Sequence, residues 1–192
     1  MNAGDARVVQ TTMRARLAMI LLAVATMLAA AVVVGGAGEA EARVGGRPPA
    51  FTLPAVPGGP TRGRFSLDEH LGRHPVVILF WATWCRPCRQ ELPLYQGLYE
   101  RHRRQGLVVL AISMDGSSSL PAAGSLARRL GLTFPVLSDL DTSVTGRMNP
   151  RRAAPLSVWV DRRGRIVRER EGFSLSERDE IAAGVARLVT GR

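Results

Sequence analysis

The sequence predicts an α/β fold built on a mixed sheet, on three observations. Two continuous apolar runs, PVVILFWA at 75–82 and LVVLAIS at 107–113, are rich in β-branched residues and carry no charge. Strands without a polar side are buried on both faces, as central parallel strands are. Segments with helix start and stop signals alternate with these runs. Late in the chain, PLSVWVD and GRIVRERE are joined by Asp161-Arg162-Arg163-Gly164 and read as an antiparallel hairpin. Alternation first and a hairpin last put parallel and antiparallel pairs into one sheet.

The elements follow in order. Arg14 and Arg16 precede an uncharged apolar run at 17–34, followed by Glu39 and Glu41. At about 1.5 Å per residue this run makes a helix of about 27 Å, enough for a hydrocarbon core. Arginines before it and acids after it place the N-terminus in the cytoplasm and export the rest. The small-x-small pattern Ala40-Glu41-Ala42 also fits a cleavage site, so residues 1–42 read as a signal-anchor, or a signal peptide cleaved near Ala42, with a tether. Residues 43–192 are the folded domain, placed outside the cytoplasm, where disulfide chemistry is expected.

Residues 35–60 are rich in Gly, Pro and Ala and lead into an irregular strand at 50–53. Ser66-Leu67-Asp68-Glu69 reads as a capping box opening a short helix that ends near Gly72. The first buried strand follows, then a helix over 85–105 closed by Gly106, then the second buried strand. A helix over 120–130 ends at Gly131, and 135–139 is strand-like, with a helical turn after Asp141. After the hairpin, Ser174-x-x-Glu177 is a second capping box, starting a last helix that runs towards Val189.

The formal charge is +10, and all 26 basic residues are arginines. Their clusters, at 101–104, 151–152 and 162–170, lack aromatic interleaving and zinc-finger spacing, which argues against nucleic acid as a partner. They read as solvated helix and turn surface.

The only two cysteines lie in FWATWCRPCRQELP at 80–93. Two cysteines are half of the usual metal site, and His70, His74 and His102 are not at finger-like spacing. A purely structural bridge would close so short a loop that it would remove little chain entropy. A reacting pair explains the position as well. Cys85 falls where a strand has ended and a helix begins, so free N–H groups and the helix dipole favour its thiolate, with Arg86 adding in the same direction. Cys88, one turn in, is shielded and can resolve a mixed disulfide. Pro87 sits in the first turn, where its missing N–H costs nothing.

Trp84-Cys85-Arg86-Pro87-Cys88 resembles the thioredoxin motif. With FWATWC before it and Glu91-Leu92-Pro93 after it, the stretch resembles the TlpA/ResA branch of thiol–disulfide oxidoreductases. The resemblance covers about 44–172, including Phe51-Thr52-Leu53-Pro54. It implies a thioredoxin-like fold with a mixed central sheet flanked by helices and a strand–helix unit inserted after the active-site helix, between Asp115 and Asp141. It puts the family's cis-proline at Pro155, with Ala154 and Pro155 beside Cys85 offering backbone atoms to an extended peptide. Trp84 then belongs to a docking surface, while Trp81 and Trp159 pack in the core and Pro93 kinks its helix without breaking it.

In two places the chain departs from the pattern. Leu79 stands where thioredoxin has a buried Asp, so the proton role passes by resemblance to Glu91, which at i+3 shares a helix face with Cys88. Arg151-Arg152-Ala153-Ala154 precedes Pro155 where a glycine is common. The implied activity is reduction of protein disulfides by a redox-active Cys85–Cys88 pair without a further cofactor. A transmembrane thiol carrier would recharge it, and apocytochrome c is a frequent substrate in such relatives. Two other classes share the fold. A peroxiredoxin-type peroxidase wants a Pro and a Thr before the reacting Cys, and only Thr83 is present. A copper-binding chaperone wants wider cysteine spacing and a downstream His, and none follows His102.

Overall fold

The structure, a computed structural model, describes residues 44–191. The expected anchor and cleavage site, and the boundary between 42 and 43, lie outside the described residues. The first buried run forms β3 (Val76–Trp81) and the second forms β4 (Val108–Ser113), paired in parallel. A short β5 (Val136–Ser138) adds in parallel to β4. The hairpin is β6 (Leu156–Val160) and β7 (Ile166–Glu171), with β6 antiparallel to β3. The order across the sheet is β5-β4-β3-β6-β7, the mixed arrangement expected.

Along β3, all six residues are buried because the two sides of the strand enter different cores. Val77, Leu79 and Trp81 face one cluster with Trp159, and Val76, Ile78 and Phe80 face another. On the first side lie α1 (Arg86–His102), α2 (Leu120–Arg129) and α4 (Arg178–Thr190). On the second lie α3 (Ser143–Met148) and the two-stranded sheet of β1 (Thr52–Pro54) and β2 (Arg64–Ser66). Each fully buried aliphatic or aromatic side chain contributes about 1.5–3 kcal/mol. A run covered on both faces therefore needs no alternation. Helix α4 approaches closely enough that a Cβ at Gly184 would stand 2.6 Å from the Trp159 ring, so glycine is required there.

The expected capping box at Ser66 does not form. Ser66 is the last residue of β2, paired with Thr52, and its side chain caps nothing; only a 3-10 turn, Leu67–Glu69, follows. The strand ladder takes the backbone that the cap would have used. Strand β2 itself escapes sequence reading, because three residues are too few to display a period. The second box does form: Glu177 accepts the Ser174 N–H at 2.7 Å, and a 3-10 turn leads into α4. Helix α1 runs through Pro93 without interruption.

Candidate active site

Strand β3 ends at Trp81, and Cys85 is the N-cap of α1. Cys85 and Cys88 are joined as a disulfide, their Cα atoms 5.4 Å apart. The Cys85 Sγ accepts the Cys88 N–H at 3.2 Å, so one unpaired donor of the first turn already points at this sulfur. The same donor and the helix dipole favour negative charge on Sγ when the bridge is open. Pro87 lies in the first turn, and Arg86 and Pro87 are exposed beside it. Trp84 is 67% exposed, whereas Trp81 and Trp159 are buried, as expected.

Cys88 is fully shielded and Cys85 is 3% exposed, which is less open than a reachable nucleophile was expected to be. With the bridge closed, the Cys85 sulfur is tied to a sulfur inside the core. What surface the pair retains belongs to Cys85.

The approach to the cysteines is held by a buried carboxylate that sequence reading missed. Asp115, 3% exposed, stands two residues beyond the end of β4. Its Oδ2 accepts the Thr83 N–H at 3.0 Å and the Ser113 hydroxyl at 2.9 Å, and its Oδ1 accepts the Thr83 hydroxyl at 2.5 Å. Arg89 donates to the Thr83 carbonyl at 2.6 Å, so Thr83 is fixed from both sides two residues before Cys85. The only signal in the sequence was an acid two residues after a buried strand. Asp115→Ala should lower stability by about 2 kcal/mol, the size of lost hydrogen bonds to a charged group. It should also slow thiol exchange about ten-fold, since Thr83 would lose its clamp. Urea midpoints and exchange rates check both, and a stability loss with unchanged rate would reduce Asp115 to a fold residue.

The Ala154–Pro155 peptide is cis, with Pro155 buried and Ala154 packed against the core cluster that holds both cysteines. The loop before it solves the missing glycine in another way. Arg152 adopts φ 51°, in the left-handed region that glycine favours. Asn149 braces the loop: its Oδ1 accepts the Ala153 N–H and its Nδ2 donates to the Ala153 carbonyl, both at 2.8 Å. Asn149 also went unnoticed in the sequence, since its partner is local to a loop of no regular form.

Glu91 is 1% exposed and its Oε1 has no hydrogen-bond partner among the described residues. Burial pushes its carboxyl up to about 8; nearby Arg170 pulls it down in part and Glu177 pushes it up. At neutral pH this carboxyl is therefore largely protonated in the disulfide form. Arg170, on β7, is itself nearly buried and pairs with Glu177 and with Glu180. Burial, then the neighbouring Glu91, raises the Tyr95 hydroxyl as well; that hydroxyl donates to Ser157 at 3.3 Å and accepts from Trp159 at 3.1 Å.

Among the described residues, no group of three or more His, Cys, Asp or Glu is placed to hold a metal ion. The sequence pattern of the AhpC/TSA family matches residues 44–171. The thiol-disulfide oxidoreductase ResA of Geobacillus kaustophilus is 32% identical over 123 residues, 64% of this chain. ResA of Geobacillus thermodenitrificans is 33% identical over 125 residues, also 64% of this chain. The chain spans 66% of the length of each relative, just under two thirds. Among solved structures, a thiol:disulfide interchange protein of the thioredoxin family from Chlorobium tepidum superposes with a TM-score of 0.62. It covers 78% of this chain and 99% of its own at 22% identity, a likeness of fold. The chain belongs to the AhpC/TSA family.

Proposed function

We propose that the protein is an extracytoplasmic thiol–disulfide oxidoreductase that reduces protein disulfides. One observation carries the reading: the Cys85–Cys88 bridge sits at the start of α1, with Cys85 Sγ accepting the Cys88 N–H and Cys88 fully shielded. In the reduced form the Cys85 thiolate attacks one sulfur of a substrate disulfide, forming Cys85–S–S–substrate and releasing one substrate thiolate. Cys88 loses its proton and attacks the Cys85 sulfur, closing the bridge and releasing the second substrate thiolate. Substrate gains two electrons and the enzyme loses two. Glu91 is the proposed acceptor of the Cys88 proton, consistent with a carboxyl that stays protonated once the bridge is closed. Exposed Trp84, Arg86 and Pro87, with the backbone of Ala154 and Pro155, form the proposed docking surface for an extended peptide.

The names of the relatives support thiol–disulfide exchange; a protein disulfide as substrate, apocytochrome c being one, and a transmembrane thiol carrier as electron donor are proposed on the family resemblance alone. Residues 17–34 are read as a membrane anchor, with cleavage near Ala42 as the alternative. Among the described residues no helix is long and apolar enough to cross a membrane.

The test is exchange by the purified, reduced protein. Mixed with a protein disulfide, it should generate two substrate thiols per Cys85–Cys88 bridge formed, and Cys85→Ser should generate none. Hydrogen peroxide supplied instead should be consumed slowly. Rapid peroxide consumption without disulfide exchange would assign the peroxidase activity and reject the reductase.

A further inference from the structure

The end of the sheet opposite the cysteines is a basic pole, and the chain enters the domain there. Strand registers fix the geometry. Leu156 pairs with Phe80 near the active-site end, whereas Val160 pairs with Val76 at the other. The β6–β7 turn therefore lies a full strand away, about 16 Å at roughly 3.3 Å per residue. The first described residues are bound to this turn. The Gly45 N–H donates to the Ile166 carbonyl at 2.7 Å, and the Ile166 N–H to the Gly46 carbonyl at 2.8 Å. Arg165 reaches the Gly45 carbonyl and Arg47 the Arg163 carbonyl, both at 3.3 Å.

Exposed arginines collect at this pole: Arg47, Arg73, Arg163, Arg165 and Arg187. Among the described residues none of them has an ion-pair partner, in contrast to Arg151, Arg168 and Arg170, which are paired with Glu171, Glu177 and Glu180. Asp161, the acid of the turn, spends Oδ1 on the Arg163 and Arg165 N–H groups at 2.9 and 2.8 Å. Arg162 is tied to the carbonyls of Arg73, Gln105 and Val189, which draws the start of β3, the end of α1 and the end of α4 to one place. Between the turn and α4 a cleft of about 410 Å³ is lined by Arg162, Arg163 and Arg187, with Val167 in its wall. Val44 and Val167 are exposed apolar residues beside these charges.

We propose that this pole docks on the anionic phospholipid headgroups of the membrane that residues 17–34 enter, holding Cys85 on the far side of the domain. Arginine forks pair with headgroup phosphates, and Val44 and Val167 meet the interface below them. The proposal rests on the anchor reading above. Nine residues separate the apolar run from Val44, and that length spans at most about 35 Å when fully extended. The basic pole is thus the face that the leash keeps nearest the bilayer.

The experiment uses the full chain in vesicles of phosphatidylcholine with or without phosphatidylglycerol, washed with carbonate. Arginines are then modified with phenylglyoxal and read by mass spectrometry. Arg73 and Arg165 should react at least three-fold more slowly in phosphatidylglycerol vesicles than in phosphatidylcholine, with Arg86 and Arg89 unchanged. High salt should remove the protection, because the attraction is screened. R163S/R187S should lose the protection of Arg165 while reducing a soluble protein disulfide at the wild-type rate. Retention after carbonate with equal reactivity in both lipids overturns the docking and leaves the anchor standing. Release by carbonate overturns the anchor, and the docking with it.

Discussion

Cys88→Ser should stop turnover and leave substrate covalently held on Cys85. The physical reason is proximity. In the wild type the resolving sulfur is delivered by α1 to within bonding distance of its partner, and well-oriented intramolecular attack has an effective molarity of about 10⁵ M or more. Removing it leaves only external thiol at millimolar levels, so a turnover loss of at least about 1,000-fold is expected, roughly 4 kcal/mol of barrier. Non-reducing gels of cells expressing the full chain should show higher-mass bands that collapse with reductant and vanish in the double variant with Cys85→Ser. The captured proteins identify the substrate class directly. An empty lane from well-expressed protein would remove the two-step exchange.

Glu91→Gln has the second largest expected effect, and it should appear in both stability and rate. The carboxyl is raised from its ordinary range to about 8 by burial. Folding therefore takes up a proton between about pH 4.5 and 8. The group's contribution is intact below the unfolded value and is lost as pH rises through 8. The slope cannot exceed about 1.4 kcal/mol per pH unit, so the wild type should lose on the order of 4 kcal/mol across the window relative to Glu91→Gln. The charged and titratable groups around it are Arg170 on β7, Glu177 ahead of α4 and Tyr95 on its own helix. His70, lowered mainly by burial, drives stability the opposite way below its ordinary value of 6.5. For that reason the difference between the two proteins, and not the wild-type curve alone, is the quantity to measure. Urea midpoints of the disulfide form at pH 5 and pH 8 give it, and parallel curves would show that Glu91 does not titrate in this range. The exchange rate should fall about 100-fold in the same variant, the lower range for a lost proton-transfer group.

Reading the sequence succeeded where one local rule decided the outcome. Val76–Trp81 and Val108–Ser113 have no polar side, so they had to be central. Cys85 precedes a helix with Pro87 in its first turn, so it had to be near an N-cap. Ser174 and Glu177 supply both halves of a capping box, and the box is there. Ser66 and Glu69 supply the same two halves, yet pairing of Ser66 with Thr52 prevails, because a local cap loses to a strand ladder formed at longer range. Asp115 and Asn149 were overlooked for a related reason. Asp115 acts on Thr83, 32 positions away, which only the fold brings near it, and Asn149 acts four positions on in a loop whose irregular path no local period announces.

By itself the amino-acid sequence determined which strands are central, where the active-site helix starts and which two sulfurs can meet, since all three depend on residues within a few positions of one another. Only the tertiary structure decided that Glu91 is buried and protonated rather than solvated, that Arg152 takes the place of a glycine, and that Arg47, Arg73, Arg163, Arg165 and Arg187 meet at the pole where the chain enters. Those outcomes turn on solvent exclusion and on charges brought together across the sheet, and distance in space is the quantity that a linear pattern does not contain.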